Sequence, residues 1–152
     1  MNDTQTHTRA SPIALPDDLA AAIARHGEAT SPDECCGILL GTDTGGQRLV
    51  DRLLPIDNQW DEGERRRRFL IQPADLLRAE REARLTGLDV LGFYHSHPDA
   101  PARPSEFDRE HAWPWYTYLI ASIEQGAYAA MTGWQLKDDR TGYEEVVVTC
   151  NA

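Results

Sequence analysis

Two histidines, a serine and an aspartate lie within one short segment in the second half of the chain. His95 and His97 end an apolar run and are two residues apart, and Ser105 and Asp108 follow a loop that contains three prolines. Alternate side chains of a β-strand lie on the same face, so both imidazoles can converge on one ion. Asp108 would add an oxygen ligand and leave a fourth position for water, as in a catalytic zinc site. The segment therefore predicts a metal site built by His95, His97 and Asp108.

The same residues also have structural explanations. Ser105 and Asp108 have the spacing of a helix-capping box, although Asp matches that motif less well than Glu or Gln, and a lone His-x-His pair is common. The conjunction of paired histidines, a stiff loop and a carboxylate favours metal binding. A catalytic zinc also needs a general base. Glu34, just before a predicted buried strand, is our candidate, and the sequence leaves three others open: Glu106, Glu110 and Asp99.

The elements that must position these residues alternate between helices and strands. Apolar positions at helical spacing with capping residues predict the helices, and short apolar runs between turn formers predict the strands. In chain order we expect a helix from Asp17 or Asp18 to about Gly27, strands over 35–41, 48–56 and 69–71, a helix over 73–84, a strand over 88–97, a short helix over 105–112, and strands over 115–123, 127–136 and 143–150. Such interleaving predicts an α/β sandwich around a mixed sheet.

The composition excludes several classes of protein. With 152 residues, 41% of them hydrophobic, the chain can bury a core without disulfides or a structural metal. A net charge of −10 repels nucleic acid, because non-specific binding depends on basic residues that neutralise phosphates. The sequence has no apolar run of about 18 residues and no signal-peptide layout. Its three cysteines form no Cys-x-x-Cys pair and are odd in number, which favours a reducing compartment.

We therefore expect a cytoplasmic protein that binds neither nucleic acid nor membrane. Residues 1–12 are polar and mostly small, without hydrophobic periodicity, and predict a disordered N-terminal segment. Residues 13–152 then form a single folded domain.

Several of these residues also carry a resemblance to a known family. Glu34-Cys35-Cys36-Gly37, then His95-Ser96-His97-Pro98, six residues, Ser105, two residues and Asp108 resemble the signature of the JAMM (MPN-plus) metallopeptidases. The resemblance extends from about Leu15 to the last predicted strand. It implies the deaminase-like α/β sandwich of that family, with a central mixed β-sheet flanked by helices.

The resemblance also implies a role for each signature residue. His95, His97 and Asp108 resemble the family's zinc ligands, and Glu34 resembles the acid/base that activates the water held by the metal. Ser105 resembles the hydroxyl that steadies the oxyanion. This choice of Glu34 settles, by resemblance, the base that the residues alone leave open. It agrees with electrostatic logic, because a metal and a hydroxyl donor together stabilise negative charge that develops on a carbonyl oxygen.

The family cleaves amide or isopeptide bonds after the Gly-Gly tails of ubiquitin-like proteins. Single-domain bacterial members with a segment like residues 108–115 resemble peptidases that act on small sulfur-carrier proteins. The resemblance thus implies a zinc-dependent peptidase with a ubiquitin-like or sulfur-carrier substrate. The alternative is a catalytically silent MPN-type protein-binding module, against which the intact signature argues. A zinc nucleoside deaminase would need a Pro-Cys-x-x-Cys ligand pair, which this sequence lacks.

Three further groups of residues attract attention and have simpler explanations. Trp113 and Trp115 follow the signature, and we expect them to pack in the core or at its edge. Cys35 and Cys36 are adjacent in a predicted buried strand, so they point to opposite faces, and small apolar packing is the expected role. The run Arg65–Arg68 is either the solvated start of a strand or a docking patch for an acidic partner, and we favour the former.

Overall fold

The computed structural model describes residues 10–66 and 68–150, in which one eight-stranded sheet is flanked by helices. The α-helices are α1 (Asp17–Thr30), α2 (Pro73–Thr86) and α3 (Glu106–His111), and a 3-10 helix spans Glu62–Glu64. The strands are β1 (Ile13–Ala14), β2 (Cys36–Thr44), β3 (Gln47–Ile56), β4 (Asp89–Pro98), β5 (Thr117–Glu124), β6 (Ala127–Leu136), β7 (Tyr143–Val146) and β8 (Val148–Thr149).

The sheet is mixed, as the alternation of helices and strands predicts. Its strand order is β7-β6-β5-β4-β2-β3-β1-β8. The β4–β5 pair is parallel, as are the two pairs made by β1, whereas β2 pairs antiparallel with both β3 and β4. Strand β4 therefore lies in the middle of the sheet, with a partner along each edge. The α/β class and the α/β sandwich with a mixed sheet are confirmed.

Each face of the sheet is covered by one helix, because successive side chains of a strand point to opposite faces. On one face α1 packs Ile23 against a cluster that includes Leu39, Tyr94 and Leu119. On the other face α2 packs Ala79 and Ala83 against a second cluster, which contains Cys36, Ile38, Phe93 and Tyr118. His95 and His97 are two and four residues after Phe93 in β4, so their side chains lie on the same face as Phe93, the face covered by α2. The central strand thus carries both histidines under α2 rather than under α1.

Two helix ends show what the local sequence can and cannot specify. The start of α2 matches its signals, with Pro73 in the first turn and a capping box between Gln72 and Asp75, and Gly87 ends it in the left-handed conformation with φ of 73°. The expected end of α1 near Gly27 is wrong, since the helix continues to Thr30. A Cβ at Gly27 would lie 2.8 Å from Ile123 Cδ1, so this glycine allows close packing of α1 on the sheet and does not end the helix.

The predicted strand over residues 69–71 is also wrong. These residues pair with no strand in the described part of the chain, and the Leu70 N–H donates instead to Asn58 Oδ1 at 3.2 Å. Their strand-forming side chains pack on the α2-face cluster, so burial and not pairing accounts for their apolar character. Strand β5 begins at Thr117 and not at Trp115, whose φ of 82° interrupts the extended backbone. The predicted last strand divides into β7 and β8, and β1 was missed.

The N-terminal segment is ordered further than the sequence suggests. Residues 1–9 of the predicted disordered segment lie outside the described residues. Ser11 is buried and its backbone N–H donates to Gln135 Oε1 at 3.0 Å, so the folded part includes residues before Ile13. No helix within residues 10–66 and 68–150 is long and apolar enough to cross a bilayer.

Candidate metal centre

The end of β4 delivers both histidines to one buried point on the α2 face. His95 and His97 are 1% and 6% exposed, because β4 is paired on both sides here, with Cys36 of β2 and Ile120 of β5 facing His95. The imidazole of His95 is stacked under the Phe69 ring, with centroids 4.5 Å apart. Burial lowers the pKa of His95, and Asp108 opposes this shift.

Asp108 joins the histidines from the short helix α3. Its Oδ2 lies 3.3 Å from His95 Nε2 and 3.2 Å from His97 Nε2, and the two Nε2 atoms are 3.1 Å apart. Three ligand atoms that each lie about 2.0–2.1 Å from a tetrahedral Zn²⁺ are about 3.3–3.4 Å from one another. The three atoms therefore form a triangle of the size that one face of a tetrahedral zinc site requires.

The contacts around the triangle orient its atoms. His97 Nδ1 lies 2.8 Å from the carbonyl oxygen of Pro101, and this contact directs Nε2 toward His95 and Asp108. His95 Nδ1 is buried without a hydrogen-bond partner among the described residues. Burial alone would raise the pKa of Asp108, but His95, His97 and the Ser105 N–H hold it well below its usual range. Two imidazole nitrogens and one carboxylate oxygen form a donor set that fits a divalent metal.

The proline-rich loop and the capping box are what bring Asp108 to the histidines. Asp108 Oδ2 accepts the backbone N–H of Ser105 at 2.8 Å, and Ser105 Oγ accepts the N–H of Asp108 at 3.0 Å. Helix capping and metal binding are therefore compatible roles for Asp108, because the carboxylate oxygen that accepts the Ser105 N–H also faces both imidazoles. Ser105 Oγ is used as an acceptor here, which leaves its own hydrogen available for donation.

Glu34 lies just before β2, the strand that pairs with β4. Cys36, two residues further on, is paired with His95, and the Cys35 carbonyl accepts the Ser96 N–H at 3.2 Å. The Glu34 side chain is buried and its Oε1 has no hydrogen-bond partner among the described residues. Burial, reinforced by the negative charge of Asp108, raises the pKa of Glu34 to about 9. A buried carboxyl with an unused oxygen at such a site has the character of a proton-transfer group.

The other three candidates for the base are in less suitable positions. Glu106 and Glu110 are exposed on α3, and Glu106 is paired with Arg109. Asp99 is exposed beyond the end of β4 and accepts the Gln125 N–H. Among the four carboxyl groups, Glu34 alone is buried.

A cavity of about 600 Å³ opens beside the ligands, and sequence reasoning missed most of its walls. His95 and Asp108 form one end, and aromatic rings supply much of the rest: Trp60, Phe69, Phe93, Phe107, Trp113 and Tyr116. The expectation that Trp113 packs in the core or at its edge is wrong, because its side chain is 65% exposed at this cavity. Trp115 is 44% exposed, although the buried Arg48 guanidinium lies 4.0 Å from its ring centroid. No local pattern marks the cavity, since its walls come from distant parts of the chain.

The remaining candidates have structural roles. Cys35 belongs to the α1-face cluster and Cys36 to the α2-face cluster, which confirms that they pack on opposite faces, and burial raises the pKa of the Cys35 thiol to about 11. Of the arginine run, Arg65 Nε donates to the Trp60 carbonyl and the Arg68 guanidinium lies 4.7 Å from the centroid of Phe107. Arg67 lies outside the described residues. Arg65 and Arg68 therefore contact two residues that line the cavity, Trp60 and Phe107.

Comparisons with known proteins agree with this geometry. Residues 16–137 match the family described as prokaryotic homologs of the JAB domain. A desampylase of Haloferax volcanii is 37% identical over 119 residues, which cover 77% of this chain and 83% of that protein. A protein of Thermus thermophilus named "probable TtuB-protein conjugate cleaving protease" is 38% identical over 102 residues, 66% of this chain and 64% of that one.

Solved structures give the same result for the fold. A solution structure of a protein from Desulfitobacterium hafniense superposes with a TM-score of 0.80 at 32% identity and covers 91% of this chain and 92% of that one. The crystal structure of a JAB1/MPN domain protein from Archaeoglobus fulgidus has a TM-score of 0.58 at 21% identity, covers 93% and 99% of the two chains, and supports the fold alone.

Proposed function

This chain belongs to the family of prokaryotic homologs of the JAB domain, and from that premise we propose that it is a zinc-dependent peptidase. Its substrate would be an amide or isopeptide bond that follows the C-terminal Gly-Gly tail of a ubiquitin-like or sulfur-carrier protein. The observation that carries the proposal is the buried triangle of His95 Nε2, His97 Nε2 and Asp108 Oδ2, three potential ligand atoms that lie 3.1 to 3.3 Å from one another.

These three residues would hold the metal, and the rest of the site is built for proton transfer and charge stabilisation. When bound, Zn²⁺ would act as a Lewis acid that activates water and polarises the scissile carbonyl. Zinc is favoured over harder cations because two of the three ligands are imidazole nitrogens. His97 is fixed for this role by the Pro101 carbonyl, which binds Nδ1 and directs Nε2 to the ligand position.

Glu34 and Ser105 would carry the remaining steps. With the positive charge of a bound metal favouring the ionised form of its carboxyl, Glu34 would accept the proton of the attacking water at Oε1 and return it to the leaving amine. Ser105 would donate its hydroxyl hydrogen to the carbonyl oxygen as negative charge develops there. Both groups are held by backbone contacts of the fold, so they need little rearrangement when substrate arrives.

The substrate class follows from the relatives and from the cavity. The Haloferax relative is named a desampylase and the Thermus relative a conjugate-cleaving protease, and both names describe cleavage of protein conjugates. The cavity at the ligands offers aromatic surface for side chains that flank the scissile bond. The three cysteines are free thiols, which suits the reducing cytoplasm we propose as its location, with residues 13–152 acting as one catalytic domain.

The test combines metal analysis with cleavage. The wild type, Glu34→Gln and the surface control Glu80→Gln would be purified, assayed for zinc by mass spectrometry, and incubated with a sulfur carrier that bears an extension after its Gly-Gly tail. We expect about one zinc per chain in all three proteins, cleavage after Gly-Gly by the wild type and Glu80→Gln, and loss of at least about 100-fold in Glu34→Gln. Zinc bound without Glu34-dependent cleavage would refute the peptidase proposal for this substrate class.

A further inference from the structure

The backbone of Glu34 is held by a loop and not by the sheet. Its neighbour Cys35 still bonds to β4, since the Cys35 carbonyl accepts the Ser96 N–H at 3.2 Å. At Glu34 the partner changes, and its N–H donates to the Arg65 carbonyl at 2.6 Å. The Glu34 carbonyl in turn accepts a hydrogen bond from the side chain of Asn58 at 3.0 Å. Arg65 and Asn58 both lie in the loop between β3 and α2, residues 57–72, which we call the β3–α2 loop.

Asn58 provides the side chain that joins this loop to Glu34, in addition to the backbone bond from Arg65. Its Nδ2 donates to the carbonyls of Glu34 and of Arg68, at 3.0 and 2.8 Å. Its Oδ1 accepts the N–H groups of Trp60 and Leu70, at 3.0 and 3.2 Å. The amide thus uses both donors and both acceptor positions, which is the full capacity of an asparagine. Three of the four hydrogen bonds lie within the β3–α2 loop, and the fourth connects the loop to Glu34.

The same loop forms a wall of the cavity. The Trp60 ring packs edge-on against Phe107, the neighbour of Asp108, with centroids 5.4 Å apart. Phe69 stacks on the His95 imidazole. The loop therefore touches the residues next to the ligands on one side and holds the backbone of Glu34 on the other.

We infer that Asn58 is a positioning residue that fixes Glu34 relative to the metal ligands by bonding its carbonyl to the closed β3–α2 loop. The inference rests on the proposed function, which gives Glu34 its catalytic role. Glu34 Oε1 has no hydrogen-bond partner among the described residues, so the position of the carboxyl depends on packing and on two backbone contacts, of its carbonyl with the Asn58 amide and of its N–H with the Arg65 carbonyl. A displacement of about 1 Å at a catalytic group costs about 100-fold in rate, so one anchor has a measurable effect.

Two substitutions separate the anchor from the loop. Asn58→Asp keeps an oxygen that accepts from Trp60 and Leu70 but replaces the donor to the Glu34 and Arg68 carbonyls with an acceptor. Asn58→Ala removes all four bonds without adding charge. The matched control is Gln135→Met, which removes the buried amide that accepts the Ser11 N–H at the far end of the β5–β6 pair.

Two readouts would be measured for each protein. The first is kcat and KM for the zinc-loaded enzyme on the extended sulfur carrier. The second is hydrogen exchange of the Glu34, Trp60 and Leu70 amides in the metal-free protein, followed by NMR. For both Asn58 variants we expect kcat to fall about 10- to 100-fold with KM within about twofold and with zinc content unchanged. The Glu34 amide should exchange at least about tenfold faster, whereas Trp60 and Leu70 stay protected in Asn58→Asp.

Other outcomes would overturn the inference. An unchanged kcat in both variants, or a loss no larger than that of Gln135→Met, would leave Asn58 with a structural role only. A loss confined to Asn58→Asp would assign the effect to the added charge. If the wild type cleaves no extended carrier, the proposed function fails, and exchange at Glu34 alone then decides whether Asn58 anchors it: unchanged exchange refutes the anchor.

Discussion

Replacement of Glu34 by glutamine should make the metal-free protein more stable at neutral pH. Burial, with Asp108 as the second cause, raises the pKa of Glu34 from 4.5 to about 9. The folded state therefore keeps the proton on Glu34 between these values, while the unfolded state releases it. The unfolded state binds fewer protons across this range, so the free energy of unfolding falls as the pH rises. Below pH about 4.5 both states are protonated and the effect is absent.

The magnitude follows from the linkage between proton binding and stability. One proton difference corresponds to about 1.4 kcal/mol per pH unit, so about 3 kcal/mol accumulates between pH 5.5 and 7.5. Glutamine does not titrate and has nearly the same shape. The wild type should therefore lose about 3 kcal/mol relative to Glu34→Gln over these two units, a large part of the stability of a domain this size.

Urea unfolding of the metal-free proteins at pH 5.5, 6.5 and 7.5 measures this difference directly. The two proteins differ only at residue 34, so the difference between the two curves reports the loss of the Glu34 carboxyl. Glu80→Gln, which removes an exposed carboxyl from α2, should parallel the wild type. Parallel curves for the wild type and Glu34→Gln would refute the reasoning, since they would mean that Glu34 is ionised in the folded protein at neutral pH.

Two further substitutions test the ligand set and the packing beneath it. Asp108→Ala should weaken zinc retention, measured by competition with a chelator, by more than the 10- to 100-fold that loss of an outer partner typically costs, with the far-ultraviolet circular dichroism unchanged. Global unfolding on chelation would contradict this expectation. Gly37→Ala should lower the free energy of unfolding in urea by about 1–3 kcal/mol or more, because its Cβ would lie 2.1 Å from Cε2 of the buried Tyr94 ring. Wild-type stability in that variant would show that the ring can move.

The ligands could be predicted from the sequence because short-range rules place them. Residues two apart on a strand lie on the same face, and the Ser105–Asp108 spacing predicts a capped helix start. Only the conformation of the loop that joins these two elements is then needed to bring the three atoms together. From the residues alone, Glu34, some 60 residues away, is the favoured one of four candidate bases, and the resemblance selects it. Its place near the candidate ligands depends on tertiary contacts that spacing cannot reveal, among them the pairing of Cys36 with His95.

The errors share a physical cause. Phe69 and Ile71 have strand propensity, yet they pack on the α2-face cluster without a strand partner, because β-branched and aromatic residues suit any half-buried surface and not only a paired one. Gly27 has the composition of a helix end, yet it is a contact point of α1 with Ile123. Asn58 has one local bond, to the Trp60 N–H two residues on, but its bonds to residues 34, 68 and 70 have no local signal. In each case the contact that matters is long-range.

These contacts explain how the domain tolerates a site that opposes its own stability. In the part of the chain that the structure describes, Glu34 Oε1 and His95 Nδ1 are buried without hydrogen-bond partners, and each unpaired atom costs free energy. That cost is offset by two apolar clusters on opposite faces of the sheet, which contain none of the three candidate ligands. We therefore expect removal of a bound metal to loosen Glu34 and the β3–α2 loop before it affects the sheet. Since this loop is also a wall of the cavity, metal loss and substrate contact would act on the same segment.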